Sequence, residues 1–288
     1  MNIFSIIIIG TIIFEYILNF ISRQLNLKSL TTTLPKEFID FYDEKKYEES
    51  QNYTCENSKF EHINTTFNFI LILIIIYFGL FDRLDQFARS FNYSPIITGI
   101  IFFSIFFIIN DILSTPFNLY KTFIIEEKFG FNKSTLKIYV MDKLKSYFLL
   151  IILGLPLISL ILYCFEISNN AWIFIWILMT LLSMIMPKVY TQFIAPMFNK
   201  FTPLQDGKLK DIITTYAKNV DFPLTEIYVV DGSKRSSHSN AYFTGFGKNK
   251  RIVLFDTLMD DHTDEEILAI LAHEVGHYKK KHIIKNIM

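Results

Sequence analysis

The chain has 288 residues with 28 basic and 28 acidic side chains, and hydrophobic residues, including 30 phenylalanines, make up 51% of it. Charged residues account for only 19%, below the roughly 25% that is usual in soluble domains. The balanced charge argues against a nucleic-acid-binding protein, and the aromatic content excludes a disordered or fibrous chain. An integral membrane protein is the class that remains.

Five apolar stretches are long enough to cross a bilayer, which requires about 20 mostly apolar residues in a helix. They lie at 3–21, 63–81, 95–113, 147–165 and 171–186. The first lacks a basic start and a small-residue cleavage pattern, so we expect a retained anchor and not a signal peptide. The sequence therefore predicts an α-helical integral membrane protein with about five transmembrane helices.

Lysine and arginine predict how these helices cross the membrane, because cytoplasmic loops are enriched in both residues. The loops alternate between many and few of them, with six in 22–62, two in 82–94, six in 114–146 and none in 166–170. The N-terminus is therefore expected outside, with a transmembrane region over 1–186 and cytoplasmic loops at 22–62 and 114–146. The remainder, 187–288, is expected to be a cytoplasmic domain.

This domain alternates periodic segments with polar turns, as a small α+β fold does. A helix is predicted at 206–220 and a strand at 225–230, followed by a β-hairpin formed by 240–247 and 251–255. Thr263 and Glu266 match a capping box, in which the two side chains close the first turn of a helix. A helix should therefore begin near Asp264 and continue through the last residues.

That predicted helix carries the motif His273-Glu274-Val275-Gly276-His277. Positions four apart lie on one helical face, so both imidazoles can reach one tetrahedral Zn²⁺ while Glu274 accepts a proton from water. The pattern indicates a metallopeptidase site with one zinc ion per chain. The alternative is a pair of surface histidines flanking a helix salt bridge.

The sequence shows only two of the three protein ligands that a catalytic zinc site usually has. His282 is turned about 180° and 140° around the helix from His273 and His277, so it cannot share their metal. His238 and His262 precede the helix and are more simply read as turn or exposed histidines.

Five blocks of the sequence, in family order, resemble the type I CAAX prenyl proteases. They are PFNLY (116–120), FIIEEKFGFNK (123–133), SNAYFTGFG (239–247), KRIVLFDTL (250–258) and HEVGHYKKKH (273–282). The resemblance implies a gluzincin-type membrane endopeptidase with seven membrane helices and a zincin-like cytoplasmic domain. Family members cleave the last three residues from C-terminally prenylated proteins, so the implied partners are such polypeptides, or related membrane-associated ones, and membrane lipid.

Carried over by residue, the resemblance makes His273 and His277 zinc ligands and Glu274 the catalytic glutamate. The residues that match the family's substrate-binding edge strand are Asn240, Ala241 and Tyr242. A substrate backbone would pair with that strand by β-augmentation. Without the resemblance, the same segment is only a hairpin strand, and Tyr242 could be a packing aromatic.

The resemblance also implies a third zinc ligand, a glutamate in a later helix, which matches no position here. We expect it beyond residue 288, within roughly a hundred further residues, and expect the 288 residues alone to be inactive. Two other functions stay open: a catalytically silent membrane scaffold and a general membrane quality-control zinc protease. A bacterial inner membrane is favoured, or the endoplasmic reticulum if the host is eukaryotic.

Overall fold

The computed structural model of the chain describes residues 3–245 and 249–280, and the chain divides into two compact units, 1–130 and 131–288. The α-helices of the first unit are α1 (Ile3–Ser29), α2 (Glu44–Tyr77), α3 (Leu80–Arg89) and α4 (Pro95–Tyr120). Those of the second are α5 (Leu136–Leu149), α6 (Leu155–Ile167), α7 (Ala171–Val189), α8 (Ala195–Phe198), α9 (Lys208–Asn219), α10 (Asp256–Asp261) and α11 (Asp264–Lys279). The strands are β1 (Phe201–Pro203), β2 (Leu224–Val230), β3 (Ala241–Thr244) and β4 (Lys250–Phe255).

Within the described residues, five helices are long and apolar enough to cross a membrane, and they confirm the five predicted spans. They are Ile3–Ser29, Glu44–Tyr77, Pro95–Glu126, Leu136–Ile167 and Ala171–Phe198. Three of these contain a π-helical turn, at Lys121–Glu126, Leu150–Gly154 and Tyr190–Ile194. Each turn lies near a proline, which lacks the N–H that regular helical bonding needs. The protein is therefore an integral membrane protein.

In the first unit, aromatic and polar contacts join α1 and α2. The Tyr16 ring stacks on Phe69 with ring centroids 4.0 Å apart, and its hydroxyl lies 3.0 Å from Thr66 Oγ1. Near the end of α4, Lys121 Nζ lies 2.8 Å from Glu61 Oε1 of α2. These contacts link α2 to α1 and to the residue that follows α4.

The second unit contains a four-stranded sheet with the order β1-β2-β4-β3 among the described residues. β3 and β4 pair antiparallel, which confirms the predicted hairpin, while the residues at its tip, 246–248, lie outside the described range. β2 and β4 pair in parallel, a pairing that the sequence analysis does not predict. β4 therefore lies in the interior of the sheet, and β3 lies at one edge.

One face of the sheet forms a core with α9 and α11. The buried side chains of this core include Ile213 of α9, Ile252 and Leu254 of β4, and Ile267 and Leu271 of α11. Burial of about 25 cal/mol per Å² of apolar surface makes such a cluster the main source of stability for a small domain. The core fixes α11 against the sheet.

The predicted capping box is present at the start of α11. Thr263 Oγ1 accepts a hydrogen bond from the Glu266 backbone N–H at 3.3 Å, and Glu266 Oε2 accepts one from the Thr263 backbone N–H at 2.8 Å. The second bond, with help from the Thr263 hydroxyl, holds the pKa of Glu266 below its usual value. The predicted start of the helix is confirmed, whereas its predicted continuation to the last residue falls on 281–288, outside the described range.

Candidate active site

Helix α11 has one buried face and one exposed face. Ile267, Leu271 and Val275 are spaced four residues apart, and between 1% and 3% of each is exposed. Because successive residues turn by about 100°, His273 and His277 lie on the opposite side, where both are exposed. Packing of the apolar face therefore determines the direction in which the two imidazoles project.

The two histidines lie close enough to share one ligand. Their Nε2 atoms are 3.1 Å apart, and the rings have centroids 4.8 Å apart with an interplanar angle of 70°. Two imidazole nitrogens bound to one tetrahedral zinc ion at about 2.0–2.1 Å would be about 3.3 Å apart. The donor type and the separation therefore both fit zinc.

In the described part of the chain, no group of three or more His, Cys, Asp or Glu side chains could hold a metal ion. His238 stacks on Phe131 with ring centroids 4.3 Å apart, and His262 lies directly before the Thr263 cap, with an Nδ1 atom that has no hydrogen-bond partner among the described residues. His282 lies outside the described residues.

Glu274 lies at the border between the two faces of α11. It follows His273 by about 100° around the helix, toward the buried face, and its side chain is half-buried. A carboxylate in this position lies beside the two histidines but projects from a different side of the helix. This is the arrangement that a general base next to a metal-activated water requires.

The predicted substrate-binding residues lie on and directly before the edge strand. Ala241 and Tyr242 begin β3, and Asn240 precedes it. Asn240 Oδ1 accepts a hydrogen bond from the Ala241 N–H at 2.8 Å, and the Asn240 carbonyl accepts one from the Phe255 N–H at 3.0 Å. Among the described strands, β3 pairs only with β4, so its other edge is open to a further strand.

The edge strand and the motif helix share a core. Ala241 is 6% exposed and belongs to the same buried cluster as Leu271 and Val275 of α11. These two α11 residues flank the positions of His273 and Glu274 in the sequence. The shared core therefore places the HExxH turn next to the open-edged strand.

Tyr242 points to the opposite face of the sheet from Ala241. Its ring lies 6.4 Å from that of Phe255 in an edge-to-face arrangement. Burial, and secondarily the nearby Tyr190, raises the pKa of Tyr242 to about 12. The hydroxyl is therefore neutral at physiological pH, and the packing role that the sequence left open has structural support. A contact of Tyr242 with substrate stays a prediction.

Arg235, which the sequence analysis does not single out, makes several hydrogen bonds that hold the segment leading into β3. Its guanidinium donates to both carboxylate oxygens of Asp142, at 2.7 and 2.9 Å. It also donates to Asn199 Oδ1 at 2.6 Å and to the Phe198 carbonyl at 2.7 Å. The Lys133 backbone N–H in turn donates to the Arg235 carbonyl at 3.0 Å. One side chain thus ties the turn before Asn240 to α5 and to the end of α8.

Asp256 holds the same turn from its other side. Asp256 Oδ1 accepts from the Ser233 and Thr257 backbone N–H groups, each at 2.9 Å, and its other oxygen accepts from the Ser233 hydroxyl. Burial works against the charge on this carboxylate, but these hydrogen bonds outweigh it, and the pKa of Asp256 lies below its usual value. The carboxylate therefore stays ionised and fixes the turn to the end of β4.

Gly245 at the end of β3 cannot be replaced without strain. Its φ is +101°, and a Cβ atom built on it would lie 2.0 Å from the Asn249 carbonyl oxygen. We expect Gly245→Ala to destabilise the second unit by roughly 2 kcal/mol or more, because both the backbone and the contact oppose the methyl group. Thermal unfolding is the measurement. Gly207→Ala is the control, since a Cβ there meets nothing within 4 Å, and an equal loss in both variants would contradict the prediction.

Two family models match the chain. Residues 23–200 match the CAAX prenyl protease N-terminal region with five membrane helices, and residues 203–288 match peptidase family M48. The chain therefore belongs to the membrane-spanning M48 peptidases, and within them to the CAAX prenyl protease family. Membership of this metallopeptidase family implies a metal cofactor.

Individual relatives agree with the family models. The chain is 36% identical to a CAAX prenyl protease 1 homolog of Mus musculus over 92% of this chain and 66% of the relative. It is 37% identical to the homolog of Arabidopsis thaliana, over 96% and 67%, and 38% identical to CAAX prenyl protease 1 of Saccharomyces cerevisiae, over 89% and 59%. The chain thus spans about two thirds or less of the length of these curated relatives.

A solved structure shows the same fold. The crystal structure of S. mikatae Ste24p superposes on the chain with a TM-score of 0.92 at 35% sequence identity. The match covers 100% of this chain and 69% of that one. The membrane helices and the sheet domain therefore follow the architecture of that protein.

Proposed function

We propose that this protein is a zinc-dependent membrane endopeptidase that removes the C-terminal tripeptide of prenylated CAAX proteins or cleaves related membrane-associated polypeptides. The observation that carries the proposal is the pair of histidine Nε2 atoms 3.1 Å apart on α11, with Glu274 beside them. The relatives named CAAX prenyl protease 1 support this choice of substrate.

His273 and His277 are the proposed protein ligands for one zinc ion per chain. A glutamate outside residues 1–288 is the proposed third ligand. When bound, the ion supplies Lewis-acid polarisation of the peptide carbonyl and lowers the pKa of a coordinated water. The exposure of both imidazoles leaves them accessible to a metal from solvent.

Glu274 is the proposed general base and then general acid. One of its carboxylate oxygens takes a proton from the attacking water as the water oxygen bonds to the peptide carbonyl carbon. The same carboxyl group then gives that proton to the leaving nitrogen as the C–N bond breaks. The products are a shortened chain with a new carboxylate and a released peptide amine.

The open edge of β3 is the proposed holder of the substrate backbone. Main-chain N–H and C=O groups of Ala241 and its neighbours can pair with an extended peptide, as in other cases of β-augmentation. Asn240 and Tyr242 are the proposed side-chain contacts at and beside this edge. Pairing with a strand fixes the scissile bond relative to α11, since strand and helix share a core.

The proposed topology places the N-terminus outside and 187–288 in the cytoplasm. The transmembrane region is 1–186, with cytoplasmic loops at 22–62 and 114–146, and the alternation of basic residues between loops supports it. The relatives described above are eukaryotic, which supports the endoplasmic reticulum over the bacterial inner membrane that the sequence analysis favours.

The test is hydrolysis of a farnesylated CAAX peptide by the complete protein, purified in detergent or nanodiscs. We expect cleavage three residues from the C-terminus, loss of activity with a chelator, and recovery when zinc is restored. The matched control is the same peptide with an S-methylated cysteine, which should be cleaved at least about tenfold more slowly.

Two results would contradict the proposal, one its substrate and the other its zinc-dependent catalysis. Equal cleavage of both peptides would favour a general quality-control protease. Less than about 0.1 zinc ion per chain, together with no hydrolysis, would favour a catalytically silent scaffold.

A further inference from the structure

A cavity of about 550 Å³ lies in the second unit, on the face of the sheet opposite α11. Tyr228, Val253 and Tyr242 are register partners on β2, β4 and β3, so their side chains form one row across this face. All three line the cavity. The adjacent strand residues Ala241 and Leu254 point the other way, into the core shared with α11. The cavity is therefore separate from the histidine pair.

The other wall of the cavity is the end of the fifth candidate membrane span. Lys188, Thr191 and Phe193, from the last turn of α7 and the π-helical turn after it, line this wall. The volume of the cavity falls within the roughly 300–1,000 Å³ that is usual for small-ligand sites. The space thus has one wall on the sheet and one wall on a membrane helix.

The charge of the lining is positive. Among the lining residues of the described chain, two are cationic, Lys188 and Arg251, and none is acidic. Arg251 Nε lies 2.8 Å from Glu226 Oε2, which compensates part of its charge, whereas Lys188 has no ion-pair partner among the described residues. The Thr191 hydroxyl donates to the Pro187 carbonyl at 3.0 Å, so the two cations, and not this hydroxyl, determine the preference. An anionic group is the ligand that this set of side chains favours.

The position of Lys188 in α7 indicates its depth in the bilayer. It is the first charged residue after α7 begins at Ala171. An apolar helix of this length, at about 1.5 Å per residue, crosses most of the roughly 30 Å hydrocarbon core before it reaches the lysine. A lysine at such a position extends its ammonium group to the headgroup region. The cavity therefore opens at the depth of lipid headgroups.

Aromatic side chains complete the site. Phe193 is 66% exposed, and Tyr228 and Tyr242 are each half-buried in the opposite wall. Aromatic rings are favoured at membrane interfaces, where they contact both glycerol backbones and the first acyl carbons. This combination of aromatic walls and cationic groups differs from a site for a fully hydrated ion.

We propose that the cavity between the sheet and the end of α7 binds the phosphate-bearing headgroup of an anionic membrane phospholipid, with Lys188 as its principal charged contact. Arg251 is the second cation, and Thr191 and Tyr228 line the space for the glycerol and headgroup. This site goes beyond the proposed peptidase function and requires no catalysis. It would anchor the sheet domain to lipid at a defined point.

The test measures lipid bound to the complete protein by native mass spectrometry in detergent. The probes are palmitoyl-oleoyl phosphatidylserine, the phosphatidylcholine with the same acyl chains, and inorganic phosphate. We expect phosphatidylserine to bind at least about tenfold more tightly than phosphatidylcholine. Lys188→Gln should weaken phosphatidylserine binding by about tenfold, and Lys188→Arg, which keeps the charge, should retain it.

Two further variants separate a built cavity from a diffuse positive surface. Lys200→Gln removes a nearby exposed lysine that does not line the cavity and should change binding by less than about twofold. Thr191→Trp keeps every charge but fills the space, and should also weaken phosphatidylserine binding by about tenfold. Thermal unfolding of each variant shows that it is folded, and Lys188 is exposed, so its replacement leaves the core intact.

Three outcomes would overturn the proposal. Unchanged phosphatidylserine binding in folded Lys188→Gln and Thr191→Trp would exclude the cavity as the site. Equal losses in Lys188→Gln and Lys200→Gln would indicate a diffuse electrostatic attraction. Inorganic phosphate that binds as tightly as the lipid, with the same dependence on Lys188, would identify a free-anion site and not a lipid site.

Discussion

Glu274→Gln is expected to reduce kcat/KM for a farnesylated CAAX peptide by about a thousandfold. The amide keeps the size and the half-buried position of the side chain but cannot take a proton from water. Because His273 and His277 are unchanged, zinc content measured by plasma mass spectrometry should equal that of the wild type. In this variant the activity should therefore fall while the zinc content stays unchanged.

Glu265→Gln on the same helix is the matched control. Glu265 is exposed and pairs with Lys208 at 2.9 Å, an interaction of the kind that contributes little to stability. Its activity should stay within about twofold of the wild type. Cleavage by Glu274→Gln within about tenfold of the wild type would show that another group acts as the base.

Arg235→Lys is expected to produce the second large loss, in both stability and activity. A lysine ammonium cannot span both oxygens of Asp142 and also reach Asn199 and the Phe198 carbonyl, as the guanidinium does. The Arg235 and Asp142 side chains are each only 23% exposed, so the lost bonds are weakly replaced by water. We expect the free energy of unfolding to fall by roughly 2 kcal/mol, measured as a lower midpoint of thermal unfolding.

The activity of the same variant tests whether Arg235 positions the edge strand. The turn that it holds leads directly into Asn240 and β3, so KM should rise for a substrate that pairs with β3 while zinc content stays unchanged. Asp142→Asn should cause a similar change, and the double variant should lose less than the sum of the two. Additive losses would show that the two residues act independently.

Arg89→Lys provides the control for a simple loss of an arginine. Arg89 Nε lies 2.7 Å from Asp85 Oδ2, but the Arg89 side chain is 68% exposed. An exposed pair of this kind contributes little, so the unfolding midpoint and KM should stay close to the wild type. If Arg89→Lys lowered the unfolding midpoint and raised KM as much as Arg235→Lys does, the effect would not be specific to the hydrogen bonds of Arg235.

The sequence was sufficient for features that depend on local patterns. Membrane spans follow from runs of apolar residues: four of the five predicted runs lie within one long helix, and the run 63–81 extends past the end of α2 at Tyr77. The capping box at Thr263 depends on residues three apart, and the hairpin of β3 and β4 on neighbouring segments, so both were predictable. The histidine pair follows from the same helical spacing, since one turn brings residues four apart together.

Features that depend on distant residues were not predictable in this way. The parallel pairing of β2 with β4 joins strands separated by all of β3, and no local pattern distinguishes it from other strand orders. Arg235 and Asp142 are 93 positions apart, so the most heavily bonded side chain near the site carried no signal of its role. β1, with three residues, is too short for an alternating pattern to identify it.

The position of β4 has a consequence for how the domain forms during synthesis. β4 is the common partner of β2 and β3, so neither of those strands can complete its pairing before Phe255 has left the ribosome. Helix α11 begins soon afterwards at Asp264, and its apolar face needs that sheet as a surface to pack on. We therefore expect that α11 can dock only after β4 has joined the sheet.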